Sequence, residues 1–186
     1  MNRVETILEH NRHFVANKDY ESYITDKYPD KKLAIVTCMD TRLVELLPKA
    51  MNLKNGDAKI IKNAGAIISQ PFGSVMRSLI VAIYELKAEE VFIVGHTGCG
   101  MAAINSDRVI ETMRERGISN EVLDTLEHSG IRLNKWLRGV NNEKEGIIHT
   151  VGIVKNHPLL PANLPVHGLL IDSTTGELEL IINGYE

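Results

Sequence analysis

The chain has 186 residues, 44% hydrophobic and 24% charged, with a formal net charge of −3; this make-up suits a globular protein that buries a core and excludes a disordered one. The weak charge has no long run of one sign, so it leaves no electrostatic footprint for nucleic acid or an anionic membrane surface, and no segment approaches the roughly 18 consecutive apolar residues of a spanning helix. The start, Met1 to Thr6, is polar and partly acidic, and only two cysteines are present, Cys38 and Cys99; a cytoplasmic protein without a signal peptide or a disulfide framework is expected.

One domain over 1–186 is expected, with 1–30 as an N-terminal helical arm. From Arg3 to Asn17 the positions of Val4, Ile7, Leu8, Phe14 and Val15 predict an amphipathic helix. The run Leu33 to Cys38 is short, apolar and partly β-branched, as a strand covered on both faces should be. A second strand, Lys59 to Lys62, is entered from the turn Asn55-Gly56-Asp57 and left through Asn63-Ala64-Gly65. Ser74 to Leu86 reads as a helix apolar nearly all the way round and hence buried. It leads to a third strand, Val91 to Val94, which ends in Gly95-His96-Thr97-Gly98-Cys99-Gly100.

Between Met101 and Val140 two or three helices are predicted, broken at Gly117 and Gly130. Asn141 to Gly146 reads as a polar loop. Ile147 to Asn156 fits a helix or a strand on its own pattern, and Pro158 and Pro161 close it. Val166 to Asp172 predicts a fourth buried strand that turns through Ser173 to Gly176 into an edge strand, Glu177 to Ile182. The alternation of strands and helices predicts an α/β fold: a mostly parallel sheet of four strands plus an antiparallel edge strand, with helices on both faces.

In such sheets ligands bind beyond the carboxyl ends of the strands. Both cysteines fall at such ends, so Cys38 and the pair His96 and Cys99 are expected to meet. A buried cysteine is often no more than a small apolar side chain, and a lone histidine is often a satisfied core residue. Their joint placement at two strand ends favours a metal site. Two thiolates and an imidazole suit zinc, and with no fourth cysteine or histidine signalled, the fourth position is expected to stay open to solvent, as in a catalytic site. His10, His13, His128, His149, His157 and His167 have no ligand spacing and read as surface or core residues.

Other motifs fail on spacing. A cysteine-phosphatase loop needs five residues between its cysteine and arginine, and only three stand between Cys38 and Arg42. The glycines at 95, 98 and 100 match neither the dinucleotide fingerprint nor a phosphate-binding loop, and His96-Thr97-Gly98-Cys99 is not a Cys-x-x-Cys redox pair.

Cys38-Met39-Asp40-Thr41-Arg42 and Gly95-His96-Thr97-Gly98-Cys99-Gly100 resemble the two signature stretches of beta-class carbonic anhydrases. The likeness continues through Lys62-Asn63-Ala64-Gly65 to Val166-His167-Gly168-Leu169-Leu170-Ile171-Asp172, and the short chain resembles the small prokaryotic branch. The resemblance implies Zn²⁺ held by Cys38, His96 and Cys99, a catalytic pair Asp40 and Arg42, and reversible hydration of carbon dioxide to bicarbonate. It further implies a homodimer or higher homo-oligomer whose N-terminal helix packs on a neighbouring subunit. In some members the aspartate matching Asp40 becomes a fourth metal ligand. Hydrolysis of carbon disulfide or carbonyl sulfide, and a non-catalytic zinc protein closed by Asp40, are the alternatives. The plant-type branch lines its pocket with a glutamine and aromatic side chains, whereas Ile67 and Ile68 beside Gln70 suggest a more aliphatic pocket here, whose residues the sequence does not assign. Two thiolates offset the charge of Zn²⁺, so activity is expected to climb above neutral pH.

Overall fold

The computed structural model describes residues 2–186. The described elements begin with α1 (Arg3–Ala16), β1 (Leu33–Cys38), α2 (Leu43–Ala50), β2 (Ala58–Asn63), α3 (Ser74–Tyr84) and β3 (Glu90–His96). They continue with α4 (Ser106–Glu115), α5 (Asn120–His128), α6 (Leu133–Trp136), α7 (Glu143–Lys155), β4 (Val166–Ile171) and β5 (Leu178–Ile182). The five strands form one sheet in the order β2-β1-β3-β4-β5. Strand β1 pairs parallel with β2 and with β3, β3 pairs parallel with β4, and the β4–β5 pair alone is antiparallel. The fold class expected from the alternation of elements is the one found.

The order of strands determines where a ligand can sit. From β1 the chain moves outward through α2 to β2, then returns through α3 to β3 on the other side of β1. A right-handed crossover leads to opposite sheet faces when the direction of travel reverses. Accordingly α2 packs Leu43 and Leu47 against Ile35, Val94 and Ile171 on one face. On the other, Met76, Leu79 and Ala82 of α3 and Ile147, Val151 and Val154 of α7 pack against Ala34, Val36, Val91 and Ile93. The loops leaving β1 and β3 therefore diverge, which opens a crevice at the carboxyl ends of these two strands. Cys38 is the last residue of β1 and His96 the last of β3.

Two expectations need correction. Helix α3 is buried along one stripe only, with Val81 46% and Tyr84 61% exposed, because it lies on one face of the sheet beside the edge strand β2 and no second layer covers its outside. Residues 143–146, expected in a polar loop, form the first turn of α7; the Asn142 side chain accepts the backbone N–H of Glu145 at 2.9 Å and caps the helix, as asparagine does at an N-cap.

Helix α1 is closed at its start by a capping box, in which Asn2 Oδ1 accepts the Glu5 N–H at 3.0 Å and Glu5 Oε2 accepts the Asn2 N–H at 2.9 Å. It buries none of its residues, and Val4, Ile7, Leu8 and Val15 are exposed. Among the described residues no helix is long and apolar enough to cross a membrane.

Candidate metal centre

Strand β1 delivers Cys38, β3 delivers His96, and the turn after β3 brings round Cys99. All three are buried, and their ligand atoms lie within 4.8 Å of one another. The two sulfurs are 3.9 Å apart. His96 is wholly buried, and its Nε2 has no hydrogen-bond partner. Its Nδ1 lies 3.0 Å from the Thr97 carbonyl oxygen, which calls for the hydrogen on Nδ1 and leaves the Nε2 lone pair facing the thiols. A buried, unpartnered nitrogen acceptor is costly in a structure without a counterpart for it. Opposite two sulfurs it fits a soft or borderline cation, zinc being the common one for this donor set.

Burial pushes the Cys99 thiol above its ordinary value, and the neighbouring Cys38 adds to the rise. Deprotonation at this site therefore needs a cation to offset it. One stabilising contact is already built in: the backbone N–H of Gly65 points to Cys38 Sγ at 3.3 Å. Gly65 has φ +78°, and a Cβ there would come within 2.8 Å of Met101 Cβ and of Ile67 Cδ1. Only glycine adopts this turn and lets the loop after β2 press against the sulfur.

Asp40 and Arg42 form the second part. Arg42 Nε donates to Asp40 Oδ1 at 2.9 Å and Nη2 donates to Oδ2 at 2.8 Å; the Arg42 backbone N–H also reaches Oδ1 at 2.9 Å. These bonds, the side-chain ones first, hold the Asp40 carboxyl far below the usual carboxylate range. Asp40 Oδ2 stands 3.8 Å from His96 Nε2. The three-ligand group thus consists of Cys38, His96 and Cys99, while both Asp40 oxygens are engaged by Arg42.

Arg42 is itself held from two sides. Nη2 donates to the Gly98 carbonyl at 3.1 Å, and Nη1 donates to Ser173 Oγ at 3.0 Å. Ser173 Oγ in turn donates to the Thr97 carbonyl at 3.0 Å, and the Ser173 N–H reaches Thr97 Oγ1 at the same distance. Sequence reasoning missed Ser173, reading it only as a hairpin turn. The available signal was its position two residues past β4, at the same end of the sheet as the cysteines. Glu143 was missed as well; it opens α7, and its Oε1 accepts the Cys99 N–H at 3.3 Å. Of the remaining histidines, His157 and His167 are buried away from this group.

The fold and the site together define an α/β protein with a buried cysteine–histidine–cysteine centre at the switch point of its sheet. Residues 33–178 match the family described as carbonic anhydrase, and the chain belongs to that family, in its beta class. YvdA of Bacillus subtilis (strain 168), which carries the name of a candidate carbonic anhydrase, is 60% identical over 181 residues, covering 97% of this chain and 92% of its own. The crystal structure of beta-carbonic anhydrase isoform I (TvaCA1) from Trichomonas vaginalis superposes with a TM-score of 0.88 at 36% identity, with all of both chains covered. A carbon disulfide hydrolase of Saccharolobus solfataricus is 30% identical over 162 residues, 80% of this chain and 76% of its own.

Proposed function

We propose that this protein catalyses the reversible hydration of carbon dioxide to bicarbonate and a proton, at a zinc ion held by Cys38, His96 and Cys99. The observation that carries the reading is the wholly buried His96 Nε2, unpartnered and facing two thiols, with an Asp40 oxygen 3.8 Å away. Bound zinc supplies the acidity that makes a water-derived nucleophile available near neutral pH. The chain's own residues do the rest. Asp40, kept ionised by Arg42, is an acceptor only; it accepts a hydrogen bond from the O–H of the water-derived nucleophile and so aims that oxygen's lone pair at the substrate carbon. Arg42, tied to Gly98 and Ser173, holds the carboxylate in that pose. With both of its oxygens engaged, Asp40 serves as an orienting acceptor in preference to a fourth ligand.

Metal analysis with stopped-flow carbon dioxide hydration tests this. Stoichiometric zinc and turnover that climbs from neutral to alkaline pH are expected. Zinc without hydration at alkaline pH would sink the reading. The likeness to a carbon disulfide hydrolase supports a second one, carbon disulfide as substrate, and sulfide release by the same preparation decides between them.

The exposed apolar side of α1 (Val4, Ile7, Leu8) supports a homodimer or larger homo-oligomer in which that helix lies on a neighbouring subunit. A cytoplasmic setting and one domain over 1–186, with 1–30 as an arm, belong to the same proposal. Sedimentation of the chain with and without Val4→Asp and Ile7→Asp tests the assembly.

A further inference from the structure

Residue 97 is the point where the two parts of the centre meet. Its carbonyl oxygen lies 3.0 Å from His96 Nδ1, the ring nitrogen opposite the one that faces the thiols, and it also accepts the Ser173 hydroxyl at 3.0 Å. A carbonyl has two lone pairs and serves both donors at once. The Ser173 hydroxyl in turn accepts Arg42 Nη1 at 3.0 Å, and Arg42 grips both oxygens of Asp40. A continuous path of hydrogen bonds therefore runs from the Asp40 carboxylate through Arg42, Ser173 and the Thr97 carbonyl to the His96 ring.

The path ends on a peptide that its own chain neighbours leave loose. The plane of the Thr97–Gly98 peptide turns on ψ of Thr97 and φ of Gly98, and Gly98 sits at φ +64°, a residue type that populates positive and negative φ with equal ease. Local sterics thus do not decide where the Thr97 carbonyl points; bonds from outside do. Three of them hold residue 97 to the end of β4. Its N–H donates to the Ile171 carbonyl at 3.0 Å, its Oγ1 accepts the Ser173 N–H at 3.0 Å, and its carbonyl takes the Ser173 hydroxyl. Ser173 is a firm anchor for this purpose. It is 9% exposed and is built into a turn in which Asp172 Oδ1 accepts the N–H groups of Thr174 and Thr175 at 2.8 Å and 2.7 Å.

Building on the function proposed above, we infer that Thr97 and Ser173 form a clasp that positions both halves of the centre: by holding the Thr97 carbonyl it sets the plane of the His96 ring, and by holding Arg42 it sets the aim of Asp40. Neither side chain supplies a ligand atom; each acts through another residue. A histidine whose second nitrogen is tied down keeps its tautomer and its direction, and partners of this kind are worth about ten- to a hundredfold in metal affinity. Because a single hydroxyl serves the ring and the guanidinium, the placement of the ligand and that of the carboxylate are set together. Thr97 and Ser173 are thereby positioning residues for metal binding and for turnover at once, whereas Arg42 serves turnover.

A double-mutant cycle in the full-length, zinc-loaded protein tests the clasp, with zinc affinity read by chelator competition and turnover by stopped flow at saturating zinc. Ser173→Ala should weaken zinc about tenfold through His96 and lower kcat about tenfold through Arg42. In an Arg42→Ala background the same change should still weaken zinc about tenfold. It should leave kcat where Arg42→Ala alone puts it, since no guanidinium remains for Ser173 to hold. General damage to the fold would instead lower both quantities in both backgrounds. Thr97→Val, which keeps the shape and removes the acceptor of the Ser173 N–H, should weaken zinc in the same direction, and Thr97→Ser should restore it. Parental zinc affinity in both Ser173→Ala and Thr97→Val, or an equal fall in kcat from Ser173→Ala with and without Arg42, overturns the clasp. A parent that binds zinc and shows these affinity losses but hydrates no carbon dioxide leaves the hold on His96 standing and overturns the proposed reaction instead.

Discussion

Glu143 Oε1 accepts the backbone N–H of Cys99 at 3.3 Å, so the first residue of α7 braces the turn that carries one of the three proposed zinc ligands. The same helix buries Ile147, Val151 and Val154 against the sheet, which makes it a rigid support for that brace. Groups that orient a ligand without touching the metal are worth about ten- to a hundredfold in metal affinity. Glu143→Ala is expected to weaken zinc binding by about tenfold in a chelator competition, while Glu143→Gln, which keeps an acceptor at the same place, restores most of it. Equal affinity in the alanine variant and the parent would show that the turn holds its shape without the carboxylate.

Arg42 joins the loops after β1, β3 and β4 through Asp40, Gly98 and Ser173. Arg42→Ala should leave zinc stoichiometry unchanged, because the arginine touches none of the three ligand atoms, and lower kcat by about a hundredfold through the lost aim of Asp40. Lysine should not rescue it, since a point charge cannot reproduce two parallel bonds to a carboxylate. Ser173→Ala should cause a smaller fall in the same direction, with Arg42 keeping two of its anchors. Full turnover in Arg42→Ala, measured by stopped flow beside a metal assay, would remove the pair from the mechanism.

The strands were legible because buried parallel strands are written as short apolar runs, and Leu33 to Cys38 and Val166 to Ile171 stand out against polar turns. The meeting of Cys38, His96 and Cys99 was legible for the same reason: reactive residue types ended two such runs. Asp40 and Arg42 lie two apart in a turn, so their pairing is nearly local. Ser173 and Glu143 were not legible, being 131 and 44 residues from the groups they hold; nothing short of the folded sheet brings them there. The one-sided burial of α3 escaped for a related reason. Its apolar outer face reports what the surface needs, and an isolated sequence does not say whether a second layer or a second chain meets it.

The two hydrophobic clusters on the sheet faces permit a separation of stability from chemistry. Leu79 is wholly buried within the α3–α7 layer, whereas Cys38 and Cys99 belong to the cluster around α2. Leu79→Ala should cost about 2–5 kcal/mol of folding stability in denaturant unfolding. Zinc stoichiometry under native conditions should stay at the parent's value. A metal-free but folded variant would mean that the two layers are coupled through the sheet more tightly than their packing implies.

His167 gives the stability its pH dependence on the acid side. Its ring stacks on Phe92 at 4.5 Å and meets the edge of Tyr185 at 4.6 Å, and its Nδ1 accepts the Gly184 N–H at 3.1 Å. A protonated Nδ1 cannot accept that bond, so charging the ring works against the docking of residues 183–186. Burial lowers the pKa of His167 below its ordinary 6.5, and the Glu90 carboxylate, 3.6 Å from Nε2, opposes this only in part. With the folded value below the unfolded one, the unfolded chain binds the extra proton first as pH falls. Stability should therefore begin to drop near pH 6.5 and continue to drop until the lower folded value is passed, then level off with respect to this group. In His167→Asn, where Oδ1 stands in for the Nδ1 acceptor, that slope should be absent from denaturant midpoints measured across the window. An unchanged slope would remove His167 as its source, and it could not be passed to Asp57 or Asp172, whose backbone hydrogen bonds hold their pKa values below the ordinary range and whose contribution fades only at lower pH.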